Sequence, residues 1–390
     1  MFPNEQFSAL PFHFWSVMFF ILGTIVGSFL NVCIYRIPRG ENIIFPPSHC
    51  PHCKYSIPWY LNIPLFTWLF LRGKCANCGA PITIRYFIVE LMTGLLFLLA
   101  WNCVGGTSYA LAALYCLIIA ALIVASFIDF EHFIIPDGLT LGGIAAGFIL
   151  SFFFPILHLT YSQKISLQSS FLGILIGGGI LYIISRLGKL IFGHYKYPIL
   201  PETKVMFTEE NIEIADEKIP YQEIFYRSSD KIIVQASSIT VTPHSTTTNS
   251  STEHAETENN PPLKWDVAKL ELSPSLLKIN DQSFDPHTIK TIEVIADKII
   301  FPREVMGLGD VKLMAAIGAF LGWQAVIFTL FASSLIGSIV GVLCILLGKN
   351  ELSSRIPYGP YIAVGTLIWM LGGFYHIRLW ADDVLKPLLQ

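Results

Sequence analysis

Runs of about 20 consecutive apolar residues leave this chain the fewest options, because that length is what an α-helix needs to cross a bilayer. Such runs can be drawn at residues 14–34, 86–104, 109–128, 139–157, 171–192, 313–327, 330–347 and 358–375. The sixth and seventh almost touch and read as a tight hairpin; the eighth contains Gly and Pro. Of the 390 residues 53% are hydrophobic, and the mean hydropathy is +0.58, so the bilayer rather than water is the expected solvent. The expected fold is an all-α polytopic membrane protein with about eight transmembrane helices. A signal peptide is the competing reading of the first run, but no positive charge precedes it and no small-residue cleavage site follows it.

The net charge of -3 decides little, because the placement of Lys and Arg in loops sets the orientation of a membrane protein. Arg36, Arg39, Lys54, Arg72, Lys74 and Arg85 follow the first run, Lys189 and Lys196 the fifth, and Lys349 and Arg355 the seventh. These loops are expected on the cytoplasmic side, with both termini facing outward.

Two segments interrupt the apolar pattern. Residues 35–83 form a short, aromatic, cysteine-bearing loop, read as a small cytoplasmic zinc-binding module. Residues 197–305 hold no spanning run but carry alternating, strand-like text such as Asn211-Ile212-Glu213-Ile214, and read as a β-rich cytoplasmic insertion. Within it a Ser/Thr/Asn/Glu-rich stretch, 237–262, is expected to be a linker. On either side lie similar units, Asp230-Lys231-Ile232-Ile233 matching Asp297-Lys298-Ile299-Ile300, which suggests a duplication against chance likeness of β-patterned text. The remaining divisions are 1–34, 84–196 with the second to fifth spans, and 306–390 with the last three.

Four of the eight cysteines, Cys33, Cys103, Cys116 and Cys344, fall in apolar segments and read as small core residues. Cys50, Cys53, Cys75 and Cys78 instead form two CxxC knuckles 21 residues apart, close to zinc-ribbon spacing. Each knuckle aims two thiolates at one ion, and two knuckles complete a closed tetrahedral shell with no open catalytic position. Disulfides do not persist in a reducing cytoplasm, so one structural zinc is expected. His49 and His52 are read as bystanders.

The third run ends at Asp129, with Glu131 and Asp137 just beyond, and Asp310 opens the sixth after Gly307 and Gly309. Carboxylates at membrane depth are costly and are by default functional. Glycines before Asp310 would permit positive φ and close backbone approach. The bland reading of Asp310 is a helix-capping acid. Charge topology nevertheless brings Asp129 and Asp310 to one membrane face, where two carboxylates sharing a proton can act as base and acid in aspartic proteolysis. Lys312 either tunes that pair or snorkels to the interface.

At these residues the chain resembles the prepilin peptidases, or type IV leader peptidases, of the GxGD membrane aspartyl proteases. The likeness rests on "GSFLNVCIYRIPRG" from Gly27, "CPHC", "IPWYLNIPLFTWLFLRGKCANC" from Ile57, "IRYFIVELMTG" from Ile84, "IDFEHFIIPD" from Ile128, "MGLGDVKLMAAIGAFLG" from Met306 and "IPYGPYIAVG" from Ile356. It implies Asp129 and Asp310 as the catalytic pair, with Asp137 at a position where family members also carry Asn. It implies prepilins or pseudopilins as substrates, cut after a Gly at the cytoplasmic face of the bacterial inner membrane. It further implies N-methylation of the new amino terminus with S-adenosylmethionine, for which no pocket is legible here. Arg85 and Glu90 match the family's "RYxxVE", and an intramembrane ion pair explains them equally well. The insertion departs from the family pattern; it could bind an unidentified cytoplasmic partner of a pilus or secretion assembly, restrict substrate access, or decorate the enzyme. Beyond substrate and lipid bilayer no nucleic-acid partner is expected. Two readings compete: an ion-coupled transporter or channel whose acids bind cations, and an inactive assembly scaffold.

Overall fold

A computed structural model describes residues 11–214, 217–225, 230–243, 263–280, 282–286, 289–302, 306–347 and 357–373. Two compact units emerge, Met1–Tyr182 with Gly307–Gln390, and Ile183–Met306.

The first unit is helical. Its helices are α1 (Phe12–Arg36), a short α2 (Phe66–Phe70), α3 (Arg85–Ala100), α4 (Tyr109–His132), α5 (Asp137–Phe153), α6 (Gln163–Phe192, which runs on into the second unit), α8 (Leu308–Leu346) and α9 (Gly359–Ile368). Five segments among the described residues are long and apolar enough to cross a membrane: Phe12–Arg39, Arg85–Gly105, Tyr109–His132, Gln163–Ile191 and Leu308–Leu346. Asp137–Phe153 and Gly359–Gly372 are shorter apolar helices.

Between helices in lipid no hydrophobic force acts, so association relies on close packing of small residues. Three pairs of glycines spaced by four supply it. Gly23 and Gly27 of α1 lie against Gly94 and Glu90 of α3, where an added methyl group would come within 2.8 Å of backbone atoms. Gly143 and Gly147 of α5 receive Ala316 and Ala319 of α8, and Gly173 and Gly177 of α6 receive Gly318 and Met314. The first half of α8 is accordingly buried almost continuously from Asp310 to Leu321.

The expected hairpin between the sixth and seventh runs is present, but it turns at Gly322 rather than at residues 328–329. Gly322 has φ 82 and ψ 174, a conformation open to glycine and strained for other residues. The contacts show the reversal. Gly309 at the start of α8 packs on Ile135 beyond the end of α4. The second half runs antiparallel to α9, with Gly337 against Tyr361 and Gly365 against Thr329 and Ser333. Because α9 itself begins beside Asp129, α8 leaves the aspartate end and returns to it. Hydropathy did not locate the turn, since Gly322 sits in an apolar run, 313–327, broken only by Gln324.

The second unit is a nine-stranded antiparallel sheet: β1 (His194–Tyr197), β2 (Thr203–Phe207), β3 (Asn211–Ile214), β4 (Glu217–Pro220), β5 (Ile232–Pro243), β6 (Leu263–Ser273), β7 (Leu276–Ile279), β8 (Gln282–Phe284) and β9 (Ile289–Pro302). A single turn of helix, α7 (Tyr221–Ile224), precedes β5. The strand order β4-β3-β2-β9-β5-β6-β7-β8 reads the same from either end when β2–β5 is matched with β6–β9. Each half therefore gives its last strand to pair with the first strand of the other half, β2 with β9 and β6 with β5. One core, including Val205, Phe207, Ile212, Ile239, Leu270, Leu277 and Val294, serves both halves. The linker boundary needs correction: Ser237–Pro243 lies within β5, because Ile239 and Val241 alternate with polar residues and are buried. The rest of that stretch, 244–262, lies outside the described residues, as do Lys349, Arg355 and the last two residues of the eighth run.

Candidate active site and metal centre

Helix α4 ends in a left-handed cap at Phe133, φ 55, whose amide donates to the Asp129 carbonyl at 2.8 Å. Pro136 then starts α5, so the Phe-Ile-Ile-Pro connection turns the chain sharply just past Asp129. The Asp129 side chain is 6% exposed, and its Oδ2 accepts the Gly359 N–H at 2.8 Å. That amide opens α9 and has no intrahelical acceptor, so a carboxylate from α4 satisfies a helix N-terminus on another element. The approach is available only to glycine: a Cβ at position 359 would sit 2.8 Å from Asp129 Oδ2 and 3.2 Å from its Cβ and Cγ.

Asp310 is the third residue of α8 and is 8% exposed. Gly307, not Asp310, occupies the capping position, with φ -66, and no side-chain capping bond forms there. The positive φ expected of the preceding glycines is therefore not used. Their close approach is, since a Cβ on Gly309 would lie 3.1 Å from Ile135. Asp310 lies within Coulombic range of Asp129. Two buried acids about 180 residues apart in sequence thus feel each other's charge, the Asp129 carboxylate at the N-terminus of α9 and Asp310 in the first turn of α8.

The neighbouring acids have other partners. Glu131 forms an ion pair with Arg85. Asp137 takes Lys312 Nζ at 2.6 Å, so the lysine pairs with this acid rather than with Asp129 or Asp310. Arg85 consequently does not pair with Glu90. The Glu90 carboxylate instead accepts the Leu65 amide at 2.7 Å and the Ser28 hydroxyl. The roles of Gly359 and Leu65 escaped sequence reading. The "YGP" text was a signal for the first; nothing local marked the second.

The four knuckle cysteines converge as well, their Sγ atoms all within 4.8 Å of one another. The two turns are built alike. The Lys54 amide donates to the Cys50 carbonyl at 2.9 Å and the Gly79 amide to the Cys75 carbonyl at 3.0 Å, with Lys54 and Gly79 both left-handed at φ 58 and 71. The Tyr55 amide, then Asn77, draw the Cys53 thiol down to about 6, and the Cys78 and Asn77 amides lower Cys75. At Cys78 the Ala80 amide is outweighed by the neighbouring sulfurs, which push that thiol up to about 11, a repulsion that a shared cation would relieve. Thiolates are the metal-binding form, so the turns favour a cation. The donor set fits tetrahedral zinc, and His49 and His52 stand outside the cluster.

Comparison with known proteins finds relatives along most of the chain. Residues 21–104 match the bacterial peptidase A24 N-terminal domain, and residues 116–199 and 283–342 match the type IV leader peptidase family. A prepilin leader peptidase/N-methyltransferase of Myxococcus xanthus is 45% identical over 148 residues, 37% of this chain and 44% of that one. Proteins of the same name from Aeromonas hydrophila and Stutzerimonas stutzeri match nearly end to end, at 27% over 405 residues and 25% over 414. They cover 98% and 100% of this chain, and 98% and 99% of their own. No solved structure matches the chain.

Proposed function

The chain belongs to the type IV leader peptidase family, and we propose that it cleaves the leader from type IV prepilins or pseudopilins with Asp129 and Asp310 as the catalytic pair. The observation that carries this reading is that two buried carboxylates from α4 and α8 lie within Coulombic range of each other, one of them bonded to the Gly359 amide. One carboxylate in its ionised form takes a proton from water as the water oxygen attacks the scissile carbonyl carbon. The other, protonated, donates to the carbonyl oxygen; the amide nitrogen then takes a proton and the C–N bond breaks. The Gly359 N–H holds Asp129 in place, and the Lys312–Asp137 and Arg85–Glu131 pairs keep other charges from the acids. Methyl transfer to the new amino terminus, named for the relatives, belongs to the proposal, with S-adenosylmethionine supplying the methyl group. Cys50, Cys53, Cys75 and Cys78 hold zinc, which crosslinks the two knuckles and takes no part in hydrolysis.

The full arrangement is eight spans in the bacterial inner membrane, with the zinc module, the active site and a duplicated insertion on the cytoplasmic face, as the Lys and Arg of the intervening loops favour. Incubating the purified protein with a prepilin and labelled methyl donor, then weighing the product's amino terminus, tests it. Asp129→Asn and Asp310→Asn each abolish leader release, whereas Asp137→Asn retains it. Cleavage persisting in either of the first two overturns the assignment.

A further inference from the structure

The zinc module carries a segment whose side chains and backbone behave as though water were absent. Trp59, Phe66 and Phe70 are 82%, 74% and 84% exposed, and Leu69 and Tyr60 are more than half exposed. Trp68, between them, turns the other way and packs its ring 5.3 Å from Phe87 of α3. This is an apolar face with an anchor behind it, not a core.

Its depth follows from one hydrogen bond. The Leu65 amide reaches the carboxylate of Glu90, whose Cα lies five residues into α3 from Arg85, roughly 7.5 Å along the helix axis at 1.5 Å per residue; the side chain leans back toward Arg85, so Leu65 stands at the first turn of the span. On α1 the same level is marked by Gly27, which touches Glu90 and lies nine residues, roughly 13 Å, before Arg36. Both helices are membrane spans, so Leu65 sits alongside apolar helix rather than beyond its charged end.

Irregular backbone at such a depth must satisfy its polar groups internally, and six of this segment's amides do so. Pro58 and Pro64 carry no amide hydrogen. Leu61 donates to Pro58, Asn62 to Trp59, Phe66 to Pro64, Thr67 to Ile63 and Leu69 to Leu65. The Phe66–Pro64 bond, at 2.7 Å, closes a γ-turn on Leu65 with φ 63 and ψ -54. That turn is rare and strained for a side-chain-bearing residue, and the Glu90 carboxylate holding its central amide secures it.

We infer that residues 59–70 form a shallow re-entrant loop that inserts into the lipid leaflet beside α3, with Trp59 and Tyr60 at the interface and Phe66, Leu69 and Phe70 among the acyl chains. Trp and Tyr favour the headgroup level, and Phe and Leu the layer beneath it. The inference rests on the membrane reading of α1 and α3 and is independent of the peptidase assignment.

The test uses the full chain reconstituted in vesicles of phosphatidylethanolamine and phosphatidylglycerol. The fluorescence difference between the natural protein and Trp59→Phe isolates Trp59 among the eight tryptophans. Lipid brominated near the glycerol end of its acyl chains removes most of that difference, and aqueous iodide leaves it unchanged. Quenching by iodide alone puts the loop in water and overturns the inference. Quenching by neither means that protein, a second copy or a bound substrate, covers the face, and overturns it too. A photoreactive benzoylphenylalanine placed at Phe66 or Phe70, both exposed and so neutral to packing, gives an independent readout. Its crosslink is to lipid; a crosslink only to protein refutes the proposal.

Discussion

Replacing Gly359 with alanine is the sharpest probe of how the acids are held. The new methyl carbon would lie 2.8 Å from Asp129 Oδ2, whereas ordinary contact begins at 3.4 Å. Either the carboxylate retreats by about 0.6 Å, taking the 2.8 Å bond from the Gly359 amide out of hydrogen-bonding range, or α9 shifts by the same amount. A buried hydrogen bond to a charged acceptor contributes about 1.5–3 kcal/mol. A reacting group misplaced by ~1 Å costs about a hundredfold in rate. The expected loss in kcat/KM for leader cleavage is therefore on the order of ten- to a hundredfold. Thermal unfolding in detergent should fall by no more than the ~1–3 kcal/mol of an overpacked site. The assay compares both quantities for Gly359→Ala and for Gly365→Ala, whose added methyl meets only helix neighbours at 3.1 Å or more. Cleavage within twofold of the natural enzyme for Gly359→Ala would refute the claim that this amide positions Asp129.

Two further outcomes follow from the packing and the knuckles. Gly318→Ala puts a methyl group 2.1 Å from the Gly173 carbonyl oxygen, a clash between backbones that no rotamer relieves, so a loss above ~3 kcal/mol is expected in detergent unfolding, and Gly142→Ala, which faces open space, should be neutral. Zinc content, measured by elemental analysis, should stand at one ion per chain near neutral pH and fall on acidification, as protons compete with the ion for the thiolates. Folded protein without metal at neutral pH would rule out the four-thiolate site.

Much of this protein was legible before any coordinates. Apolar runs require a bilayer whatever the fold, because no other environment accepts them, and they located most helices to within a few residues. Knuckle spacing picked out four cysteines that do come together because the chemistry is local: a CxxC turn closes on itself, and a distant second turn need only meet the first. The costly acids stood out for the same reason, as single residues whose burial demands an explanation.

Tertiary structure decided which acid meets which partner. Glu131, Asp137 and Lys312 sit within a few residues of Asp129 or Asp310, yet Arg85 comes from α3 to claim one, and Asp137 and Lys312 claim each other. Glu90 lies close to Arg85 in sequence but is turned toward Leu65. Charge pairing depends on helix rotation and depth, which periodicity alone does not supply when every face is apolar. The reversal at Gly322 was missed for a related reason, since the turn is made by backbone conformation and one neighbouring Gln324 does not distinguish it from the rest of the apolar run. The exchanged strands of the sheet were equally hidden, because alternation reveals which residues face inward and not which strand lies next door. Composition and spacing thus determined the solvent, the cysteine cluster and the candidate acids. Only the packed helices determined that Asp129 is held by the first amide of α9, because that contact joins residues 230 apart through a gap that admits nothing larger than glycine.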